Sequence, residues 1–84
     1  MMTEDEANGY FAQLSEDDQA LLMENIVGAA GPDGLPEDEV VRQTGIVARW
    51  LFQTEVSAVL LAKVRAGELR VTGGESDPSF ELVR

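Results

Sequence analysis

The chain has 84 residues, 44% of them apolar and 26% charged, with sixteen Asp and Glu against six Lys and Arg and a formal net charge of -10. That length has room for one core and no second domain, because a chain this short buries only about 60% of its unfolded surface. Cysteine and histidine are both absent, which excludes a disulfide framework and thiolate metal sites and removes the commonest general base and the most reactive nucleophile.

The acidity is divided unevenly. Residues 1 to 39 carry eleven acids and no base, residues 40 to 72 carry Arg42, Arg49, Lys63, Arg65 and Arg70 against only Glu55 and Glu68, and residues 73 to 84 have a balance of -2. Such a field attracts basic partners and repels a phosphate backbone over roughly a Debye length, ~8 Å at physiological salt. The competing explanation is local, because acids favour helix N-termini by ~0.3–1 kcal/mol each and three helix starts are read in the acidic half. The opening Met-Met-Thr-Glu-Asp-Glu lacks the basic-then-apolar pattern of a secretory signal. The longest strongly apolar segment, Val56 to Ala62, is far shorter than the ~20 residues of a membrane span. A cytoplasmic location is the expectation.

Thr3 and Glu6 stand at capping-box spacing and predict a short helix from 4 to 13, weakened by Gly9. The alternative for residues 1 to 14 is a mobile arm that lays Tyr10, Phe11 and Leu14 on the core. Ser15 followed by Glu16, Asp17 and Asp18 is a stronger N-cap, and Leu22, Ile26 and Ala29 or Ala30 at helical spacing predict a helix from 16 to 29. Gly31-Pro32-Asp33-Gly34 ends it as a turn. Pro36 at the first helical position and Glu37, Asp38 and Glu39 behind it start the next helix. Its stripe of Val40, Val41, Thr44, Val47, Ala48 and Leu51 is interrupted by Gly45. Two readings follow: one helix from 36 to 53, or a short helix ending at Thr44-Gly45, then a turn and another helix.

Thr54 is the expected cap of a further helix with Val56, Val59, Leu60 and Val64 as its buried face, Lys63 and Arg65 in its last turn and Gly67 just beyond. Leu69 and Val71 alternate with polar residues, as do Phe80 and Leu82, which predicts two strands joined by a hairpin loop over 73 to 78. The fold class expected is α+β, mostly helical, with three to four helices followed by a C-terminal β-hairpin in a single domain spanning 1 to 84.

That order, together with Gly34-Leu35-Pro36-Glu37-Asp38-Glu39-Val40-Val41-Arg42-Gln43-Thr44-Gly45-Ile46, resembles the second helix and turn of a winged helix-turn-helix domain. Leu60-Leu61-Ala62-Lys63-Val64-Arg65-Ala66-Gly67-Glu68-Leu69 is similar to the end of such a domain's recognition helix and its entry into the wing. The resemblance covers about residues 15 to 84, and the stretch from Gly45 to Gly67 is longer than a turn plus recognition helix usually needs. It implies DNA binding or, in many offshoots, protein binding, between which fold alone does not choose.

Chemistry finds little support in the residues. Asp17 with Asp18, or Glu37 with Glu39, are carboxylate pairs, but acid-base work needs a pKa moved towards 7 by burial, and these sit at helix starts read as exposed. Glu4, Glu6, Asn8 and Gly9 imitate the first half of a calcium loop, whose second half fails at Ser15, where a bidentate acid is required. No enzyme activity, cofactor or metal is expected. The leading expectation is an acidic binding protein that docks Glu16, Asp17, Asp18, Glu24, Glu37, Asp38 and Glu39 on a basic surface of a nucleic-acid-handling protein and excludes its nucleic acid. In size and charge the chain is similar to phage-encoded inhibitors of restriction and CRISPR systems.

Trp50 and Phe52 flank Leu51, so one aromatic is expected at a surface. Packing of Trp50 with Ile46 against the first helix or the hairpin is the favoured reading, and an exposed hot spot at Trp50 is the other. A second function is a winged-helix regulator with Arg42, Arg49, Lys63, Arg65 and Arg70 on DNA, opposed by eleven nearby acids. A third is an adaptor subunit with Trp50, Phe52 and Val83 in a permanent interface. The sequence is compatible with a monomer or a homodimer.

Overall fold

The computed structural model describes residues 3 to 72 and 78 to 83. The expected hairpin loop over 73 to 78 lies outside them except for Pro78. Four helices, α1 (Glu4–Ala12), α2 (Glu16–Ala30), α3 (Glu37–Gln53) and α4 (Ser57–Arg65), precede an antiparallel hairpin of β1 (Leu69–Thr72) and β2 (Ser79–Leu82).

The first two helix starts are closed by the residues whose chemistry suits them. Thr3 Oγ1 accepts the Glu6 N–H at 3.2 Å, and Ser15 Oγ accepts the Asp18 N–H at 3.2 Å, so each side chain satisfies a donor that the helix itself leaves open. Between α1 and α2 the Gln19 side chain donates to the Phe11 carbonyl at 3.0 Å and stands 3.3 Å from that of Leu14. One amide thus ties the end of α1 to the first turn of α2. Residues 4 to 12 are helical and packed on the rest of the fold.

α3 is continuous through Gly45, which resolves the two readings of this stretch in favour of one helix. The glycine is there for close approach. A Cβ at Gly45 would stand 2.6 Å from the carbonyl carbon of Ala7 and 2.9 Å from its Cα, so α1 crosses α3 with backbone nearly against backbone. Ala7 and Ile46, with Tyr10 beside them, fill the seam. The opposite side of α3 gives Val40, Val47, Ala48 and Leu51 to the main core, where they meet Leu14, Leu22, Ile26 and Val71. Thr44 is fully buried and donates its hydroxyl to the Val40 carbonyl at 2.7 Å.

The passage from α3 to α4 departs from expectation. Thr54 Oγ1 donates to the Trp50 carbonyl at 2.8 Å and so finishes α3, while α4 has Val56 at its N-cap position and no side-chain cap. The face expected to be buried is mostly open: only Val64 is covered, Leu60 is half-buried, and Val56 and Val59 are 53% and 58% exposed. The reason is a shortage of neighbours, since among the described residues α4 packs chiefly against α3 and β1. Its end is as expected. Gly67 adopts φ 78, and the Gly67 and Glu68 N–H groups return to the Val64 and Lys63 carbonyls at 3.1 and 2.9 Å, a Schellman closure that favours glycine at the left-handed position.

In the hairpin Leu69 faces Leu82, Arg70 faces Glu81, Val71 faces Phe80 and Thr72 faces Ser79. Leu69 and Val71 point inward. The outer edge of β1 is held by Asn25 of α2, whose Oδ1 accepts the Val71 N–H at 3.1 Å while its Nδ2 donates to the Leu21 carbonyl at 2.9 Å. No helix among the described residues is long and apolar enough to cross a membrane.

Candidate interaction surface

α1 and α3 run in the same sense. Glu4 lies near Glu37 and Asp38, Ala7 lies against Gly45, and the Tyr10 ring centroid is 6.4 Å from that of Phe52. Both N-termini therefore share one end of the molecule, which carries Glu4, Asp5 and Glu6 from α1 and Glu37, Asp38 and Glu39 from α3. Two positive helix-dipole ends side by side repel, and acids placed there offset part of that cost. A shallow depression between them is lined by Glu4, Asn8, Glu37, Asp38 and Val41.

Glu39 stands apart from the other five. The Arg42 guanidinium bonds it through Nε at 3.0 Å, Gln43 adds a donor at 3.0 Å, and together they hold its carboxyl down at about 2. Glu4, Asp5, Glu6, Glu37 and Asp38 are exposed and enter no ion pair among the described residues. Five negative charges on one edge thus have no ion-pair partner among the described residues.

The α2 acids lie elsewhere. Gln19 places the start of α2 beside the end of α1, so α1 separates its acids from the acidic end by its own nine residues, roughly 13 Å. Glu16 and Asp17 are exposed, but Asp18 is only 8% exposed and forms a two-pronged pair with Arg65, Nε to Oδ1 at 3.0 Å and a terminal nitrogen to Oδ2 at 2.7 Å. The Arg65 guanidinium holds the Asp18 carboxyl below the usual carboxylate range, and Asp18, with Asp17 behind it, raises Arg65. Asp18 is thus a link between α2 and the end of α4 and does not stand on an outer row. Glu24 is exposed farther along α2, beside a depression it shares with Asn25 and Arg70. The seven acids read from the sequence do not form one continuous face.

What sequence reasoning missed is the contribution of Glu4, Asp5 and Glu6, which belong to the edge because α1 lies parallel on α3. The available signal was Gly45, since a glycine inside an apolar helical stripe marks a place where another backbone comes close. The calcium-loop imitation at Glu4, Glu6, Asn8 and Gly9 lies inside α1, where helical geometry turns its oxygens outward around the axis instead of wrapping them about an ion.

Among the cations, Arg42, Arg65 and Arg70 are engaged, by Glu39, Asp18 and Glu81 respectively, the last at 3.2 Å. Arg49 and Lys63 are exposed and in no ion pair among the described residues. Trp50 is half-buried with its ring 5.3 Å from that of Phe80, so it closes the hairpin onto α3, and the aromatic left at the surface is Phe52, 50% exposed. Val83 is 49% exposed beyond the end of β2.

No protein-family model matches the chain, and neither a curated protein nor a solved structure does.

Proposed function

We propose that the protein is a non-enzymatic binding protein that docks its acidic end, Glu4, Asp5, Glu6, Glu37 and Asp38, on the basic surface of a nucleic-acid-handling protein and thereby blocks access of nucleic acid. The observation that carries this reading is the convergence of two parallel helix starts, which leaves five exposed carboxylates on one edge without a cation among the described residues to neutralise them. Like charges held this close repel one another in the free protein, and a basic partner relieves that repulsion on docking while the same field speeds its approach. A surface built to grip phosphates has the matching charge.

The test is capture from nuclease-treated lysate by the full chain and by a Glu4→Lys, Glu37→Lys, Asp38→Lys variant. Captured proteins should bind nucleic acid, lose it to the native chain in competition, release it tenfold less readily to the variant, and dissociate as salt rises. Equal capture by the two chains, or partners insensitive to salt, overturns the reading.

A winged-helix regulator is the second reading, favoured by the order of α3, α4 and hairpin. In that frame α4 takes the recognition position, yet its exposed side carries Val56, Ala58, Val59 and Ala62, with Lys63 its one cation in no ion pair among the described residues. A mobility-shift assay on random duplex at low salt separates the two readings, because no shift at micromolar protein removes DNA from consideration.

A further inference from the structure

We infer that the outer face of α4 is where a second copy of this chain docks, antiparallel about a twofold axis at Val59, with Glu55 of each copy on Lys63 of the other. At 3.6 residues per turn, Val64 with Ser57, Leu60 and Leu61 forms the side of α4 turned towards the molecule. The opposite side gathers Ala58, Val59, Ala62 and Lys63, with Glu55 and Val56 in the turn just before the helix and Ala66 just after it, all exposed. Five of these seven are apolar, and the two charges are of opposite sign.

The charges select the occupant. Glu55 and Lys63 stand four positions before and four after Val59, and neither is in an ion pair among the described residues. An antiparallel second copy puts each carboxylate beside the other copy's ammonium and sets Val56 against Ala62. A parallel copy would put Glu55 on Glu55 and Lys63 on Lys63. The small side chains of Ala58, Ala62 and Ala66 let two helix axes approach to the short end of the ~8–10 Å packing range. The acidic end does not adjoin this contact, because it lies at the starts of α1 and α3, whereas α4 follows the far end of α3. α4 is also in the one stretch of sequence, residues 40 to 72, where bases outnumber acids.

A face on a nine-residue helix is small beside the 1,200–2,000 Å² of a stable interface, so the dimer is weak, with a dissociation constant on the order of 10–100 μM. Sedimentation equilibrium of the full chain from micromolar to millimolar concentration measures it. Glu55→Lys and Lys63→Glu should each weaken the dimer tenfold or more, the two changes combined in one chain should restore it, and an equal mixture of the two single variants should form heterodimers tighter than either homodimer. Val59→Asp should leave a monomer with an unchanged melting temperature. A native chain that stays monomeric throughout, which would leave this face to a foreign protein, overturns the inference; so does a doubly substituted chain that associates no better than the single variants.

Discussion

α3 and α4 are joined by three residues and have opposite relations to the core. Six of the nine residues of α4 are apolar and it buries only Val64, whereas eight of the seventeen in α3 are apolar and it buries seven positions, Gly45 and Thr44 among them. The difference lies in their neighbours. α3 has α1 on one side and α2 and α4 on others, so even its glycine and its threonine are enclosed, while α4 is packed chiefly on α3 and β1 and keeps a side uncovered by the described residues. Apolar content sets how much surface a helix would gain by covering, and the arrangement of other elements decides how much is covered inside one chain. The remainder on α4 is available to a partner.

The sharpest way to break this contrast is Gly45→Ala. If Gly45 were an ordinary helix-interior glycine, alanine would stabilise the protein by about 1 kcal/mol. Because the new methyl would meet the Ala7 backbone, we expect a loss of about 2–3 kcal/mol, read as a lower urea midpoint with weakened protection of α1 amides. The sign of the change decides between the two pictures. Next in size is the pair Val64→Ala and Val59→Ala on α4. The first should cost about 2 kcal/mol in urea melts of the monomer, and the second should fall within about 0.5 kcal/mol of zero, since only Val64 is removed from water.

These two helices also mark what the sequence makes legible. Local chemistry reads well: Thr3 and Ser15 as caps, Gly67 as a left-handed terminator and the two strands over 69–72 and 79–82 each concern residues within a few positions of one another, and each stands in the structure as expected, although Leu82 of the second strand is 73% exposed. What depends on tertiary arrangement does not. The choice of Val64 over Val56 and Val59 depends on where β1 returns. The removal of Asp18 from the surface depends on Arg65, 47 residues downstream, and the grip of Asn25 on Val71 spans 46. The acidic end was half legible: Glu37 and Asp38 were read from their own helix start, while Glu4, Asp5 and Glu6 joined them only through the α1–α3 seam.

A smaller effect concerns Asp18, which binds α2 to α4 on the side away from the acidic end. Asp18→Asn should cost about 1 kcal/mol at neutral pH by chemical denaturation, because Arg65 is half exposed and solvent recovers part of what the pair supplies. Its folded-state carboxyl is lowered, so the pair's contribution is complete above the ordinary Asp range and is lost as pH falls through the folded value. Replacing Asp18 should therefore flatten the acid limb of the stability curve.

Glu39 allows the finest comparison, because it shares a helix turn with Glu37 and Asp38 but is neutralised by Arg42. Its carboxyl, lowered from 4.5 to about 2, contributes stability that is fully present above the first value and disappears as pH falls through the second. Glu39→Gln should cost less than about 0.5 kcal/mol at neutral pH, the scale of a neighbouring pair on one helix, and should remove part of the loss of stability between those two pH values in denaturant titrations. In the partner competition assay the same change should leave affinity within twofold, whereas Glu37→Gln, which removes a carboxylate that has no ion pair among the described residues, should weaken it severalfold. If the two substitutions weakened binding equally, the partner would be reading the helix start as a whole, and the neutralisation by Arg42 would have no bearing on recognition.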